Sequence, residues 1–375
     1  RKSHWKQGRR MALVTKPTST GTSIENVTDI TNNLPTLQFE SALSEDERLL
    51  LPLRARTHAI TVTACAQAAY FVSILNEVRQ IKAELRHPKQ KRAKLLQETI
   101  PRDPILVGII GCGRLGTHLA QMLLTYGEVQ PQELKISTRR PETLVELQDK
   151  GVKCFHDNVL LASSVHLLFL CVLPAQLPSL AEEIKPHIST RCTIYSFVNT
   201  IHTEKLKQLL NFTNIVKPEF TWTEDNCNTA WDYTCSVCAS MENADTVRKT
   251  CPLTQDKNAC PIQTSDKLPE LLVYAFINMC TTLRLTRSEI VDLINGVVLG
   301  ITSHDIKGIV ADDITRVAVD SAGLFPKFDL TQVAVKETSL GKKLSQDKEI
   351  RHSYITRYCT LFEQYLHWKN FGKTE

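Results

Sequence analysis

The sequence predicts an α/β molecule: a doubly wound parallel sheet, preceded by a helical segment and followed by a helical domain. Three observations point to it. Between residues 104 and 217, short β-branched apolar runs alternate with helical stretches, the pattern of a parallel sheet with crossover helices. One of those runs, "VHLLFLCV", shows no polar alternation, as expected of a strand covered on both faces. The first run breaks at closely spaced glycines and then opens into a helical pattern, in "PILVGIIGCGRLGTHLAQMLL". With 375 residues, 42% of them apolar, the chain can build one substantial core and a second layer.

Taken in order, residues 1–40 lack sustained periodicity and are read as a disordered tail. Within it, residues 1–24 hold six Lys or Arg and no acid, a composition close to an organelle transit segment. A basic tail is the preferred reading, so a cytoplasmic location is expected, with a mitochondrial one as the alternative. Residues 41–100 form a helical segment. Ser44 is placed to cap it, and Glu47 three residues on completes a capping box. The Ala-rich run "AITVTACAQAAYFVSIL" suits a buried helix, Pro88 ends or bends it, and "KQKRAK" reads as a solvated helix face.

Residues 101–220 form the sheet domain, with strands at Ile105–Ile110, Leu134–Ser137, Val165–Val172, Thr193–Phe197 and Asn214–Val216. Helices are expected near 115–126, 141–150, 177–185 and 203–210. Residues 221–265 are rich in Asn, Asp, Thr and Cys and read as a Cys-rich connection. Residues 266–375 return to helical spacing and form a helical domain for substrate binding and dimerisation. Its stripes, Leu268, Leu271, Leu272, Ala275, Phe276 and Met279, then Tyr354, Tyr358, Leu361, Phe362, Tyr365 and Leu366, are core or dimer faces.

The net charge of +5 comes with no sustained basic patch interleaved with aromatics, which argues against nucleic acid as a partner. The longest apolar runs are strand-sized, so no membrane partner is expected. Twelve cysteines spread from Cys65 to Cys359 suit free thiols in a reducing compartment. A small-molecule substrate and a homo-oligomer are the expected partners.

The glycine turn carries the chemistry. Gly111, Gly113 and Gly116 form G-x-G-x-x-G between a strand and a helix, the context that marks a Rossmann-type dinucleotide site. Gly111 permits the tight turn, Gly113 lets the backbone approach a pyrophosphate, and Gly116 lets the helix pack close to the strand. The anion then sits on free N–H groups at the helix start. The next strand runs into "STRRPE". Where an acid would read a ribose 2′-hydroxyl, the chain has Ser137, Thr138, Arg139 and Arg140. Two guanidinium groups suit a 2′-phosphate, so NADP(H) is favoured over NAD.

The segments "VGIIGCGRLG", "ISTRRPE", "HDN" and "LLFLCVLPAQ", in this order and spacing, resemble the cofactor domain of pyrroline-5-carboxylate reductases, which reduce a cyclic imine with NAD(P)H. The resemblance covers roughly residues 104–218. It implies that Gly111, Cys112, Gly113, Arg114, Leu115 and Gly116 form the pyrophosphate loop. It further implies that Thr138, Arg139 and Arg140 hold the 2′-phosphate end and that Asn158 lies near the cofactor ribose. Val172 and Pro174 would line the nicotinamide side. The chain also departs from the family. Leu173 stands where the family has Lys before that Pro, "FVNTI" replaces a small-residue turn, and "VKPEFTW" keeps only Pro218 of the next motif. The family's Ser/Thr/Gly-rich helix start, which holds the imine, is not found between 266 and 375; "LGITSHDIKG" is the nearest polar stretch.

Hydride chemistry needs orientation more than a strong acid, and open α/β sheets bind ligands at the C-terminal ends of their strands. Asn199 and Thr200 after the fourth run, and Lys217 after the fifth, are therefore the catalytic candidates. Lys217 would donate a proton or clamp a carboxylate. His304 in "TSHD" reads better as a structural histidine. Among Cys227, Cys235, Cys238, Cys251 and Cys260 only "CSVC" has knuckle spacing, so no metal site is expected. The function expected is an NADP(H)-dependent oxidoreductase acting on a small imine, ketone or hydroxy acid. The alternative is a non-catalytic NADP-binding protein with a regulatory or structural role.

Overall fold

The short apolar runs become strands of one parallel sheet. Among the described residues these are β1 (Val107–Ile110), β2 (Leu134–Ser137), β3 (Lys153–Phe155), β4 (Leu167–Leu170), β5 (Thr193–Ser196) and β6 (Ile215–Val216), in the order β3-β2-β1-β4-β5-β6. In this computed structural model the described residues are 43–86, 103–222, 231–254, 262–302, 306–315 and 323–371. The tail over residues 1–40, the "KQKRAK" stretch, Pro88, Cys227, Cys260 and His304 lie outside them.

Register follows from the apolar pattern. Val107 lies opposite Leu134 and Leu167, and Ile110 opposite Ser137 and Leu170. Every residue of β1, β4 and β5 is buried, because helices cover both faces. Alternate side chains part into two cores. Val107, Ile109, Ile136, Phe169 and Tyr195 face one, while Ile110, Leu168, Leu170 and Ile194 face the other.

Two helical elements precede the sheet. Helix α1 spans Glu45–Leu49 and is capped by Ser44 and Glu47, as expected. Helix α2 spans Leu51–Arg86, so the single helix read from Ser44 is in fact two. From Val62 to Asn76 every residue of α2 is buried. A helix apolar all round belongs inside, and the alanines let neighbours approach closely. By length and composition α2 would also suit a bilayer, against the expectation from strand-sized runs, but 83% of its most apolar window is covered by the protein itself.

After β1 comes α3 (Arg114–Tyr126), and after β2 a 3-10 turn and α4 (Val145–Asp149). Strand β3 and helix α5 (Asn158–Ser164) were not anticipated. The strand has only three residues, sits at the sheet edge and is partly exposed, so it lacks the apolar signal of its neighbours. Helices α6 (Leu177–Ile184) and α7 (Thr203–Leu210) join α5 over the second face, through Leu161, Leu177, Leu180, Ala181, Leu206 and Leu210.

The Cys-rich stretch is more than a connection. Strands β7 (Phe220–Trp222) and β8 (Ile262–Thr264) pair antiparallel and bracket it. Between them lies α8 (Ala244–Thr250), capped by Asn243. Trp231, Val237, Met241, Val247 and Leu253 join the first core. The helical region follows as α9 (Lys267–Thr282), α10 (Arg287–Leu293) running into a π-helical turn at Ile294–Val298, α11 (Ala311–Ile314), α12 (Leu330–Val335), α13 (Ser339–Gln346) and α14 (Lys348–Phe371). Among the residues whose burial is described, both apolar stripes of this region turn inward. Leu268 to Cys280 are all buried, and Tyr70 of α2 meets Tyr354 edge-on at 5.5 Å and Tyr358 at a tilt at 4.9 Å. Phe362 meets Tyr126 of α3 at 5.6 Å.

Candidate functional site

The C-terminal ends of β1 to β6 define one edge of the sheet, and the predicted residues gather along it. At the end of β1, Gly111 has a φ of +88° and donates its N–H to the Ser137 carbonyl at 3.0 Å. A Cβ there would lie 2.8 Å from the Cys171 carbonyl oxygen. A Cβ on Gly116, in the first turn of α3, would lie 2.3 Å from the Gly111 carbonyl oxygen. Both glycines are therefore demanded by the protein's own backbone.

Gly113 is different. It caps α3 with φ −81° and ψ −158°, a conformation open to any residue, and a Cβ there would meet nothing within 4 Å. No side chain caps the helix start. Neither strain nor packing explains a glycine facing open space before uncapped amides; close approach of an anion does. The cradle fits a dinucleotide pyrophosphate. Beside it Arg114 is exposed, and Leu115 packs on the first core. The Cys112 thiol lies 3.6 Å from Thr117 Oγ1, and burial pushes it above the usual thiol range, so it is a neutral packing group of the turn.

At the end of β2, Thr138 donates its N–H to the Phe155 carbonyl at 3.0 Å, while Arg139 and Arg140 are exposed. No carboxylate stands at this tip, and among the described residues neither guanidinium has an ion-pair partner. Two uncommitted guanidinium groups suit the extra phosphate of NADP. At the end of β3, Asp157 caps α5 through the Leu160 N–H at 2.7 Å. Asn158 follows; its Oδ1 accepts from Ser137 Oγ at 2.8 Å and its Nδ2 donates to Glu183 Oε2 at 3.0 Å. Nothing in the sequence flagged Glu183, because the contact joins residues 25 apart through a side chain.

At the end of β4, Val172 is half-buried and Pro174 exposed, and Leu173, where the resembled family carries Lys, is 66% exposed. After β5, Asn199 and Thr200 are exposed in the turn. After β6, the Lys217 side chain is 5% exposed and pairs with Glu219 at 3.0 Å. Lys217 is thus buried and salt-bridged, and no hydrogen bond among the described residues joins it to Asn199 or Thr200. The Glu219 carbonyl accepts from the Ser265 N–H at 2.9 Å, which ties the segment after β6 to the residues just before α9. That start reads Lys267-Leu268-Pro269-Glu270; Glu270 is buried, 3.0 Å from Lys267 and bonded to Thr338, in place of a Ser/Thr/Gly cradle.

Among the described residues no group of three or more His, Cys, Asp or Glu is placed to hold a metal. Cys235 carries a free thiol.

A family described as NADP oxidoreductase coenzyme F420-dependent matches residues 106–199, the stretch from β1 to the turn after β5. The chain is 34% identical over 346 residues to NADP-dependent oxidoreductase domain-containing protein 1 of Mus musculus, covering 89% of this chain and 93% of that protein. It is 31% identical over 110 residues to pyrroline-5-carboxylate reductase 3 of Xenopus laevis, covering 29% of this chain and 40% of that one. The sequence likeness to that reductase therefore spans two fifths of its length. A pyrroline-5-carboxylate reductase structure from Coxiella burnetii aligns over 70% of this chain and 98% of that chain, at 15% identity and a TM-score of 0.29.

Proposed function

The chain belongs to the family of NADP-dependent oxidoreductase domain-containing protein 1, and on that premise we propose that it is an enzyme moving hydride between NADP(H) and a small imine, ketone or hydroxy acid. The observation that carries the cofactor assignment is Gly113, a glycine that only a ligand requires, set before uncapped helix amides. Those amides and Arg114 would hold the pyrophosphate. Thr138, Arg139 and Arg140 would hold the 2′-phosphate, and Val172 and Pro174 would wall the nicotinamide end. When bound, the dinucleotide supplies or accepts the hydride; the chain's own residues bind, orient and exclude water. Lys217, kept buried beside Glu219, would hold the proton exchanged with the substrate heteroatom. Asn199 and Thr200 would orient the substrate from the turn after β5.

Two observations favour a second reading, a non-catalytic NADP-binding protein. Lys217 is already engaged by Glu219, and the start of α9 holds an ion pair. Fluorescence titration with NADPH tests the assignment both readings share. Single-turnover NADPH oxidation against a panel of imines and ketones separates them. Consumption of NADPH with one of these substrates supports the enzyme; tight binding with no consumption across the panel supports the second reading. No binding at all defeats both.

A further inference from the structure

We propose that Glu183 is a positioning residue for the adenosine end of the dinucleotide, acting through Asn158; this rests on the crevice being a dinucleotide site. Four elements meet in one line of hydrogen bonds. The Gly111 N–H donates to the Ser137 carbonyl at 3.0 Å, and the Ser137 hydroxyl donates to Asn158 Oδ1 at 2.8 Å. Asn158 Nδ2 then donates to Glu183 Oε2, in the last turn of α6, at 3.0 Å. The turn after β1, the tip of β2, the start of α5 and the end of α6 are thereby linked by hydrogen bonds.

The two partners of Asn158 do different work. A hydroxyl both donates and accepts, so Ser137 would satisfy either orientation of the amide. A carboxylate oxygen only accepts, so Glu183 alone forces Nδ2 toward α6 and Oδ1 toward Ser137. An asparagine amide carries two N–H groups, and Glu183 takes one. The other stays available to an acceptor in the crevice, a ribose or phosphate oxygen of the adenosine end. Without Glu183 the amide can turn over, exchanging this donor for a carbonyl oxygen that such a ligand repels. Glu183 is itself exposed, so replacing it leaves both cores intact.

The test is NADPH fluorescence titration of the full chain and the variants E183A, E183Q, N158A and E183A/N158A, with thermal melts of each. E183A is expected to melt like wild type and to bind NADPH roughly fivefold more weakly, the scale of one hydrogen bond. E183Q, whose amide can donate as well as accept and so no longer fixes the orientation of Asn158, is expected to recover only part of that affinity. In the N158A background, E183A adds no further loss. Unchanged affinity in E183A would overturn the proposal, and so would an added loss on top of N158A. Tighter NADPH binding by both E183A and E183Q would overturn it too, by showing that the Glu183 charge acts directly on the phosphate. If wild type binds no NADPH, the site assignment itself fails, a result distinct from any difference among the variants.

Discussion

A single methyl group separates the demands on the three glycines of the turn. At Gly111 and Gly116 it would strike a carbonyl oxygen, at 2.8 and 2.3 Å, so Gly111→Ala and Gly116→Ala should lower the melting temperature of the protein without any ligand. At Gly113 it would strike nothing. Gly113→Ala should therefore melt like wild type and yet lose NADPH binding. If Gly113→Ala binds NADPH as wild type does, the pyrophosphate does not lie there. The exposed guanidinium pair gives a second contrast. Arg139→Ala and Arg140→Ala should each weaken NADPH by about 1.5–3 kcal/mol, the worth of a hydrogen bond to a charged group, and NADH much less. Equal weakening of the two would remove the 2′-phosphate from this tip. These positions were legible in the sequence because each constraint is local to one strand-to-helix turn. The burial of Lys217 and the bond from Asn158 to Glu183 were not, since each depends on segments distant in the chain.

The same division holds for whole elements. The buried strands β1, β4 and β5 and the helices between them could be read because burial on two faces leaves unbroken apolar runs. The edge strand β3 could not, since a short half-exposed strand carries no such pattern. Nor does the sequence show how α9 joins the sheet, because the joint is polar. Asn278, 2% exposed, donates to Asn214 Oδ1 at 2.8 Å and to the Phe328 carbonyl at 2.9 Å, and accepts from the Phe328 N–H at 2.8 Å. Asn214 in turn donates to the Cys192 carbonyl and to Thr193 Oγ1. Asn278→Ala leaves several of these buried groups without partners. With each such group costing about 1–3 kcal/mol, a loss of roughly 2–4 kcal/mol is expected, read as a lower urea midpoint at unchanged m-value. A loss under about 1 kcal/mol would mean that water replaces the amide and that the joint is looser than drawn.

For the molecule as a whole, two histidines tie distant parts together in their neutral form, and this sets the response to acid. His166 precedes β4, and its Nδ1 accepts from the Leu106 N–H at 3.0 Å. Burial, with Arg79 adding to it and Asp103 opposing, lowers this imidazole to about 4. His58 of α2 accepts from Trp231 Nε1 at 2.9 Å and pairs with the Cys235 carbonyl at 3.0 Å, and burial lowers its pKa as well. In the unfolded chain both rings bind a proton near pH 6.5. As pH falls below that value the unfolded state takes up protons that the folded state refuses, so stability is full above about 6.5 and declines with acid. The slope is at most about 1.4 kcal/mol per pH unit for each histidine, and for His166 it ends near pH 4, where the folded ring also titrates. His166→Asn keeps an acceptor for Leu106 but does not titrate. Urea denaturation from pH 7.5 to 4.5 should therefore show a flatter decline for His166→Asn than for wild type. Parallel declines would mean that His166 is already protonated in the fold, and that the Leu106 N–H finds its acceptor elsewhere.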